Sequence, residues 1–201
     1  MNPTAVLLAV LVAAWGVGTE SPCVGPLMVS PDGRFLQYWD GAPFFWLGDT
    51  AWLLLQRLDR EETERYLRDR ASKGFNVVQV MVLRTPRDAN VYGVPALVDG
   101  DPARPNLTPG NDPARPGEYD YWDHLDWVLE RAATHGIYLG LVAAWGSMVN
   151  GGHLHAGNVE AYARFLARRY RDRPNVIWIN ATGAIREGTV TRKCGRHSAE
   201  R

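Results

Sequence analysis

The sequence of 201 residues is short of cysteine and carries no net charge. Its two cysteines, Cys23 and Cys194, stand near opposite ends, which excludes a disulfide-framed miniprotein and leaves free thiols as the expectation. Lys and Arg number 22, as do Asp and Glu, so there is no electrostatic ground for a nucleic-acid partner. No apolar run reaches the roughly 20 residues that a membrane-spanning helix needs, and no stable membrane span is expected. A phosphate loop, a GxGxxG turn and a nucleophile elbow are all missing, which removes the common nucleotide-binding and serine-hydrolase signatures. His153 and His155 sit in a Gly-rich stretch without the helical spacing of a zinc site, and no Cys or carboxylate is near them in sequence. Neither a metal nor a cofactor is expected.

What is present is globular in character. The apolar share is 46% and the charged share 22%, which excludes wholesale disorder and collagen-like structure. Eight tryptophans are many for this length. They fit either a core with large aromatic residues or a surface on which sugars and other flat ligands stack. Near the N-terminus, residues 5–15 read AVLLAVLVAAW, the length of a secretory h-region, and Gly16 and Gly18 precede a possible cut after Gly18. No Lys or Arg comes before the run, so an uncleaved anchor or a misplaced start is the other reading. Residues 1–18 are expected to be a signal peptide, and the protein to be secreted or periplasmic.

Beyond the leader the chain alternates strand and helix. In residues 33–48 two aromatic-rich runs flank Asp40-Gly41, a hairpin turn pair, and residues 43–47 are apolar on both faces, as in a buried strand. Asp59 and Glu62 form the ends of a capping box. Thr63, Tyr66, Leu67, Arg70 and Ala71 then share a helical face, and Gly74 stops the helix. Residues 75–83 (FNVVQVMVL), 137–145 (IYLGLVAAW) and 176–180 (VIWIN) read as central parallel strands. Between them lie a helix facing inward with Trp122, Leu125, Val128, Leu129, Ala132 and Ala133, closed by Gly136, and one capped by Asn158 that turns Val159, Tyr162, Phe165, Leu166 and Tyr170 inward. This is the βαβ grammar of a parallel sheet covered by helices. Residues 84–119 break it. They hold the tandem Asp101-Pro-Ala-Arg-Pro105 and Asp112-Pro-Ala-Arg-Pro116. A loop this long is either functional or, here, a locally duplicated surface excursion. Its Asn106-Leu107-Thr108 sequon matters only in a eukaryotic secretory host.

The chemistry-bearing residues cluster at strand C-termini: Asp49, Trp52, Gln79, Trp145 and Asn180. In a barrel these ends face one bowl. Indoles stack on the C–H face of a sugar ring while Asp and Gln hydrogen-bond its hydroxyls. Asp49 has a second reading as a cap on the next helical turn, and Gln79 one as a hydrogen-bond partner inside the barrel floor.

FFWLGDTAW, GFNVVQVMVL, YWDHLDWVLERAATHGIYLGLVAAWG and ARFLARRYRDRPNVIWIN resemble the apiosidase-like catalytic domain, formerly a domain of unknown function. The resemblance runs from about Val29 to Asn180. It implies an α/β fold, a partial (β/α)8 TIM barrel with the first four β/α units preceded by a β-hairpin, and a glycoside hydrolase acting on complex, plant-type glycans. It also implies a catalytic Asp just after the fourth strand and a Glu on a later one. The chain instead continues Asn180-Ala181-Thr182-Gly183. Residues 181–201 carry five basic and two acidic residues and almost no apolar pattern, as a shifted reading frame would produce. The expected division is therefore residues 1–18 signal, 19–180 half of a barrel, and 181–201 a tail outside the family pattern.

On this reading the partner is an oligosaccharide or polysaccharide, which the whole protein hydrolyses with two carboxylates and this chain does not. A non-catalytic sugar-binding remnant is the alternative. A flavodoxin-like or Rossmann domain is a third reading, opposed by the absent glycine turn after the first strand. Open sheet edges make self-association an expectation.

Overall fold

The computed structural model describes residues 24–115 and 117–180. The proposed signal peptide, both cysteines and the 181–201 tail lie outside them. Two short strands, β1 (Met28–Val29) and β2 (Leu36–Gln37), pair antiparallel. A parallel sheet then runs in sequence order through β3 (Gly48–Thr50), β4 (Val77–Met81), β5 (Tyr138–Val142) and β6 (Val176–Ile179). Between the strands lie α1 (Leu54–Arg57), α2 (Arg60–Ser72), α3 (Tyr121–Thr134), α4 (Gly146–Asn150) and α5 (Val159–Tyr170). No described helix is long and apolar enough to cross a membrane.

The expected hairpin forms and is extended by a further strand. Asp40-Gly41 does form a turn, with Gly41 at φ 89° and Asp40 Oδ1 accepting from the Ala42 amide at 2.9 Å. The Tyr38 amide donates to the Ala42 carbonyl and the Phe44 amide to the Leu36 carbonyl, both at 2.8 Å, around a Gln37–Pro43 bridge, and a further ladder forms across the preceding Asp32-Gly33 turn. Pro43 sits at the bridge position whose N–H the ladder does not use, so its missing donor breaks no bond there. Residues 43–47 are not the buried strand. The Asn76 side chain takes over their backbone, accepting from the Leu47 amide at 2.9 Å and donating to the Phe45 carbonyl at 2.7 Å. Sheet pairing therefore begins only at Gly48, and Phe45 is left 77% exposed.

Helix α2 begins as its sequence dictates. Asp59 accepts from the Glu62 amide at 2.8 Å and Glu62 accepts from the Asp59 amide at 3.2 Å. Helix α3 has an equivalent box that the apolar pattern did not reveal. Asp120 Oδ1 accepts from the Trp122 and Asp123 amides at 2.7 and 2.9 Å, and Asp123 accepts from the Asp120 amide at 3.0 Å. Asn158 does precede α5, but its side chain caps nothing. It accepts from the His155 amide and donates to the His153 carbonyl, tying down the loop before the helix. Val159, expected to point inward, is exposed.

Side chains alternate across the parallel sheet. Val78, Val80, Val82, Leu139 and Leu141 are fully buried against Leu67, Leu125, Leu129 and Leu166 of the helices, and each such aliphatic group contributes about 1.5–3 kcal/mol by burial. The opposite face carries three rows by register: Gly48, Val77 and Tyr138; Thr50, Gln79, Gly140 and Ile177; Met81, Val142 and Ile179. The hairpin region plugs the first row. Phe44 meets Tyr138 edge-on at 5.3 Å and Tyr38 at 5.2 Å, and the Tyr138 hydroxyl donates to the Gly25 carbonyl at 2.6 Å.

The long excursion after β4 is ordered by its own polar residues. Asp88 accepts from the Arg84 and Thr85 amides and from the Thr85 hydroxyl. The two Asp-Pro-Ala-Arg repeats make the same turn: Asp101 Oδ1 accepts from the Ala103 amide and Asp112 Oδ1 from the Ala114 amide, both at 2.9 Å. Ala96 and Leu97 enter the core, and the Trp122 indole donates to the Ala96 carbonyl at 2.9 Å. Asp120 Oδ2 accepts from the Thr108 amide at 2.8 Å, so one carboxylate caps α3 and anchors the loop.

Two outcomes follow. Asp120→Ala should remove about 2 kcal/mol or more, because it strands three amides around a buried site; Asp120→Asn should cost less, as read in urea denaturation. His124 is buried on α3. Its Nδ1 accepts from the Tyr119 hydroxyl at 3.0 Å and its Nε2 donates to the Leu58 carbonyl at 3.1 Å, in the tautomer that satisfies both. Burial holds its pKa down at about 4, below the ordinary 6.5. Between those values the unfolded chain binds a proton that the folded chain refuses. This contribution is therefore intact above pH 6.5 and declines as pH falls toward 4, by up to about 1.4 kcal/mol per pH unit. Unfolding midpoints at pH 7 and 5.5 should show the slope, and His124→Gln should flatten it.

Candidate functional site

Trp52 follows β3 and Trp145 follows β5, so their backbones stand on either side of the C-terminal end of β4. The Met81 amide donates to the Trp52 carbonyl at 3.2 Å and the Trp145 amide to the Leu83 carbonyl at 2.8 Å. These bonds carry the two indoles to a centroid separation of 5.7 Å with their planes tilted by 53°. Both rings are partly exposed, leaving apolar faces open at the mouth of the sheet.

Gln79 lies on the inner face, in the row of Thr50 and Gly140. A Cβ on Gly140 would stand 2.7 Å from Ile179 Cδ1 and 3.4 Å from Gln79 Cγ, so the missing side chain leaves room for both neighbours. The Gln79 amide is half-buried and makes no side-chain hydrogen bond among the described residues. A half-buried amide without a protein partner keeps its acceptor and its two donors unused. Thr50, which sequence reasoning missed, shares its row and is exposed. Its signal was only its position, two residues before Trp52.

Asp49 departs from the expected bowl. By register it stands beside Val78, on the helix-facing side. Its Oδ2 accepts from the Tyr66 hydroxyl at 2.9 Å and pairs with Arg70 Nε at 2.8 Å, while Oδ1 accepts from the Thr50 amide at 2.7 Å. It does not cap the next helix either, since α1 starts after Leu53. Burial first, and the bond to Asp49 second, push the Tyr66 hydroxyl well above its ordinary range. Asp49 thus ties β3 to α2. Arg70 guanidinium also lies 5.0 Å from the Tyr66 ring centroid and 5.7 Å from that of Phe75, which completes a cation–π support for the same joint.

Asn180 departs too. It lines an apolar cleft of about 260 Å³ with Ala143, Tyr162, Leu166 and Trp178, on the α5 side of β6. Trp178 is 44% exposed there. Of the five residues singled out in the sequence, Trp52, Gln79 and Trp145 therefore share the inner face and its C-terminal end; Asp49 and Asn180 belong to the helix layer. No group of three or more metal-ligating side chains occurs among the described residues.

A further cavity lies elsewhere. About 710 Å³ on the helix layer is lined by Arg60, Tyr119, Asp123, Asp126 and Trp127. Its charges are mostly satisfied. Arg60 stacks over Trp127 at 4.8 Å, and Asp123 and Asp126 pair with Arg169 at 3.0 and 2.8 Å.

The sequence matches the apiosidase-like catalytic domain over residues 30–198, a span that runs past Asn180, where the sequence resemblance ended. No curated protein matches. Among solved structures, one described as a glycoside hydrolase is 42% identical with a TM-score of 0.69, covering 78% of this chain and 34% of its own. A glycoside hydrolase family 5 protein from Bacteroides vulgatus ATCC 8482 is 44% identical with a TM-score of 0.68, covering 78% and 33%. An endo-1,4-β-mannanase from Rhizomucor miehei, 16% identical with a TM-score of 0.56 and covering 78% and 48%, shares the fold. The chain spans about a third of the length of the first two. Its four sequential parallel strands with covering helices form a partial (β/α) barrel, and by fold and sequence the chain belongs to the apiosidase-like catalytic domain family.

Proposed function

We propose that the described residues are the sugar-binding half of an exported glycoside hydrolase acting on complex, plant-type glycans. The observation that carries this reading is the pair of partly exposed indoles, Trp52 and Trp145, at the end of a sheet whose inner face offers the unpartnered Gln79 amide. Apolar ring faces take the C–H side of a pyranose, and a free amide both donates to and accepts from its hydroxyls.

Hydrolysis of a glycosidic bond requires two carboxyl groups, about 5–5.5 Å apart for retention or roughly 6.5–9.5 Å for inversion. The inner rows of the four described strands hold Gly, Thr, Val, Tyr, Gln, Met and Ile and no carboxylate. Asp49, the acid nearest to them in sequence, is held by Arg70 and Tyr66. In this reading the catalytic pair comes from other parts of the complete barrel, and this chain alone binds glycan without cleaving it. Among the described residues β3 and β6 have no outer partner strand, and these edges, with exposed Phe45 and Trp178 near them, favour self-association of the isolated chain.

Two experiments test this. Pectic oligosaccharides and aryl glycosides incubated with the purified chain should show no turnover; turnover abolished by Asp49→Asn would overturn the assignment. Calorimetric titration with oligosaccharide should detect binding that Trp145→Ala or Trp52→Ala weakens by about tenfold, equivalent to about 1.4 kcal/mol per ring and within the range for a stacked aromatic. Unchanged binding in both variants would remove the indoles from the site.

A further inference from the structure

Beside the indole pair, the loops after β4 and β5 enclose a second feature that neutral-sugar binding leaves unexplained. The Ser147 hydroxyl donates to the Arg84 carbonyl at 2.7 Å, and the Trp145 amide to the Leu83 carbonyl, so the two loops are fastened together at the C-terminal end of the sheet. Between them lies a cavity of about 390 Å³ lined by Arg84, Thr85, Pro86, Arg87, Ser147 and His153. A second cavity of about 480 Å³ shares Pro86, Arg87 and His153 with it and extends the groove to Asp99 and Gly100.

The charges of this groove do not cancel. Asp88, the acid nearest in sequence to both arginines, is buried and accepts from the Arg84 and Thr85 amides and the Thr85 hydroxyl. Asp99, at the far lip, is paired with Arg104 at 2.9 Å. Neither the Arg84 nor the Arg87 guanidinium has an ion-pair partner among the described residues, and both are exposed. Two unpaired guanidiniums line this groove with a histidine, on a loop whose backbone Asp88 holds, and their donors suit a planar or tetrahedral oxyanion.

We propose that this groove binds an anionic substituent of a glycan, a uronic acid carboxylate or a sulfate ester, on the sugar adjoining the one that stacks on Trp145. The assignment rests on the sugar-binding reading above and adds to it a charge preference carried by Arg84 and Arg87. An Arg fork matches either oxyanion bidentately, and the pull weakens as salt screens it.

The test titrates the full chain with methyl glucuronide, glucose 6-sulfate and neutral methyl glucoside at low and at physiological salt. At low salt at least one charged sugar should bind about tenfold tighter than the neutral one, equivalent to about 1.4 kcal/mol, and whichever does so identifies the oxyanion. The Arg84→Gln/Arg87→Gln double variant should lose that preference while keeping affinity for the neutral sugar, and Arg68→Gln, an exposed change on α2, should keep the preference. Equal affinity for all three sugars overturns the anion site and leaves the sugar-binding reading standing. A charge preference that survives in the double variant overturns the assignment to these two arginines. Absence of binding by any of the three overturns both readings.

Discussion

The alternation of side chains across one parallel sheet decides what every other part of this protein can do. Each strand sends neighbouring residues to opposite faces, and the register aligns Asp49 with Val78 and Thr50 with Gln79. A single step along β3 therefore separates a structural acid from an inner-face position. Asp49 is committed to α2 through Arg70 and Tyr66, while Thr50 and Gln79 face the interior. The helices bury one set of side chains completely, so the sheet cannot slip by one residue without reversing both faces. The site inherits its composition from that constraint.

The fold was legible wherever a local rule had no competitor. Asp59 and Glu62 announced a helix start and form it in the structure. Val77 to Met81 announced a buried strand because β-branched residues on both faces suit no other setting. The Asp40-Gly41 hairpin was legible from its turn pair, and what escaped notice was a second ladder across Asp32-Gly33, an equivalent turn signal. The start of β3 was misread because the decisive agent, the Asn76 side chain, is distant in sequence. No periodicity along residues 43–47 reports a backbone partner supplied from the next strand.

The site was legible in kind more than in position. Aromatic residues at strand ends drew attention to Trp52 and Trp145, and the structure brings these two rings together. The same positional logic selected Asp49 and Asn180, and there it met parity: a strand-end residue faces the bowl or the helices according to register, which only the paired neighbour fixes. His153 was weighed only as a metal ligand, and Arg84 and Arg87 were not singled out. Their common groove arises from two loops joined through Ser147 and the Arg84 carbonyl, a contact between residues 63 positions apart in sequence.

The tandem Asp-Pro-Ala-Arg turns give the long excursion after β4 an unusual character. A free loop of that length would sample many conformations, and a ligand would have to select one of them. Here the chain closes on itself in short cycles, at Asp88, Asp101 and Asp112, and is pinned to α3 by Asp120. The entropy of closing several small loops is lost during folding rather than at the moment of encounter. The rim of the barrel mouth thus behaves as rigid scaffold, and variation in the residues projecting from it can alter what is recognised without reopening the question of whether the loop is formed.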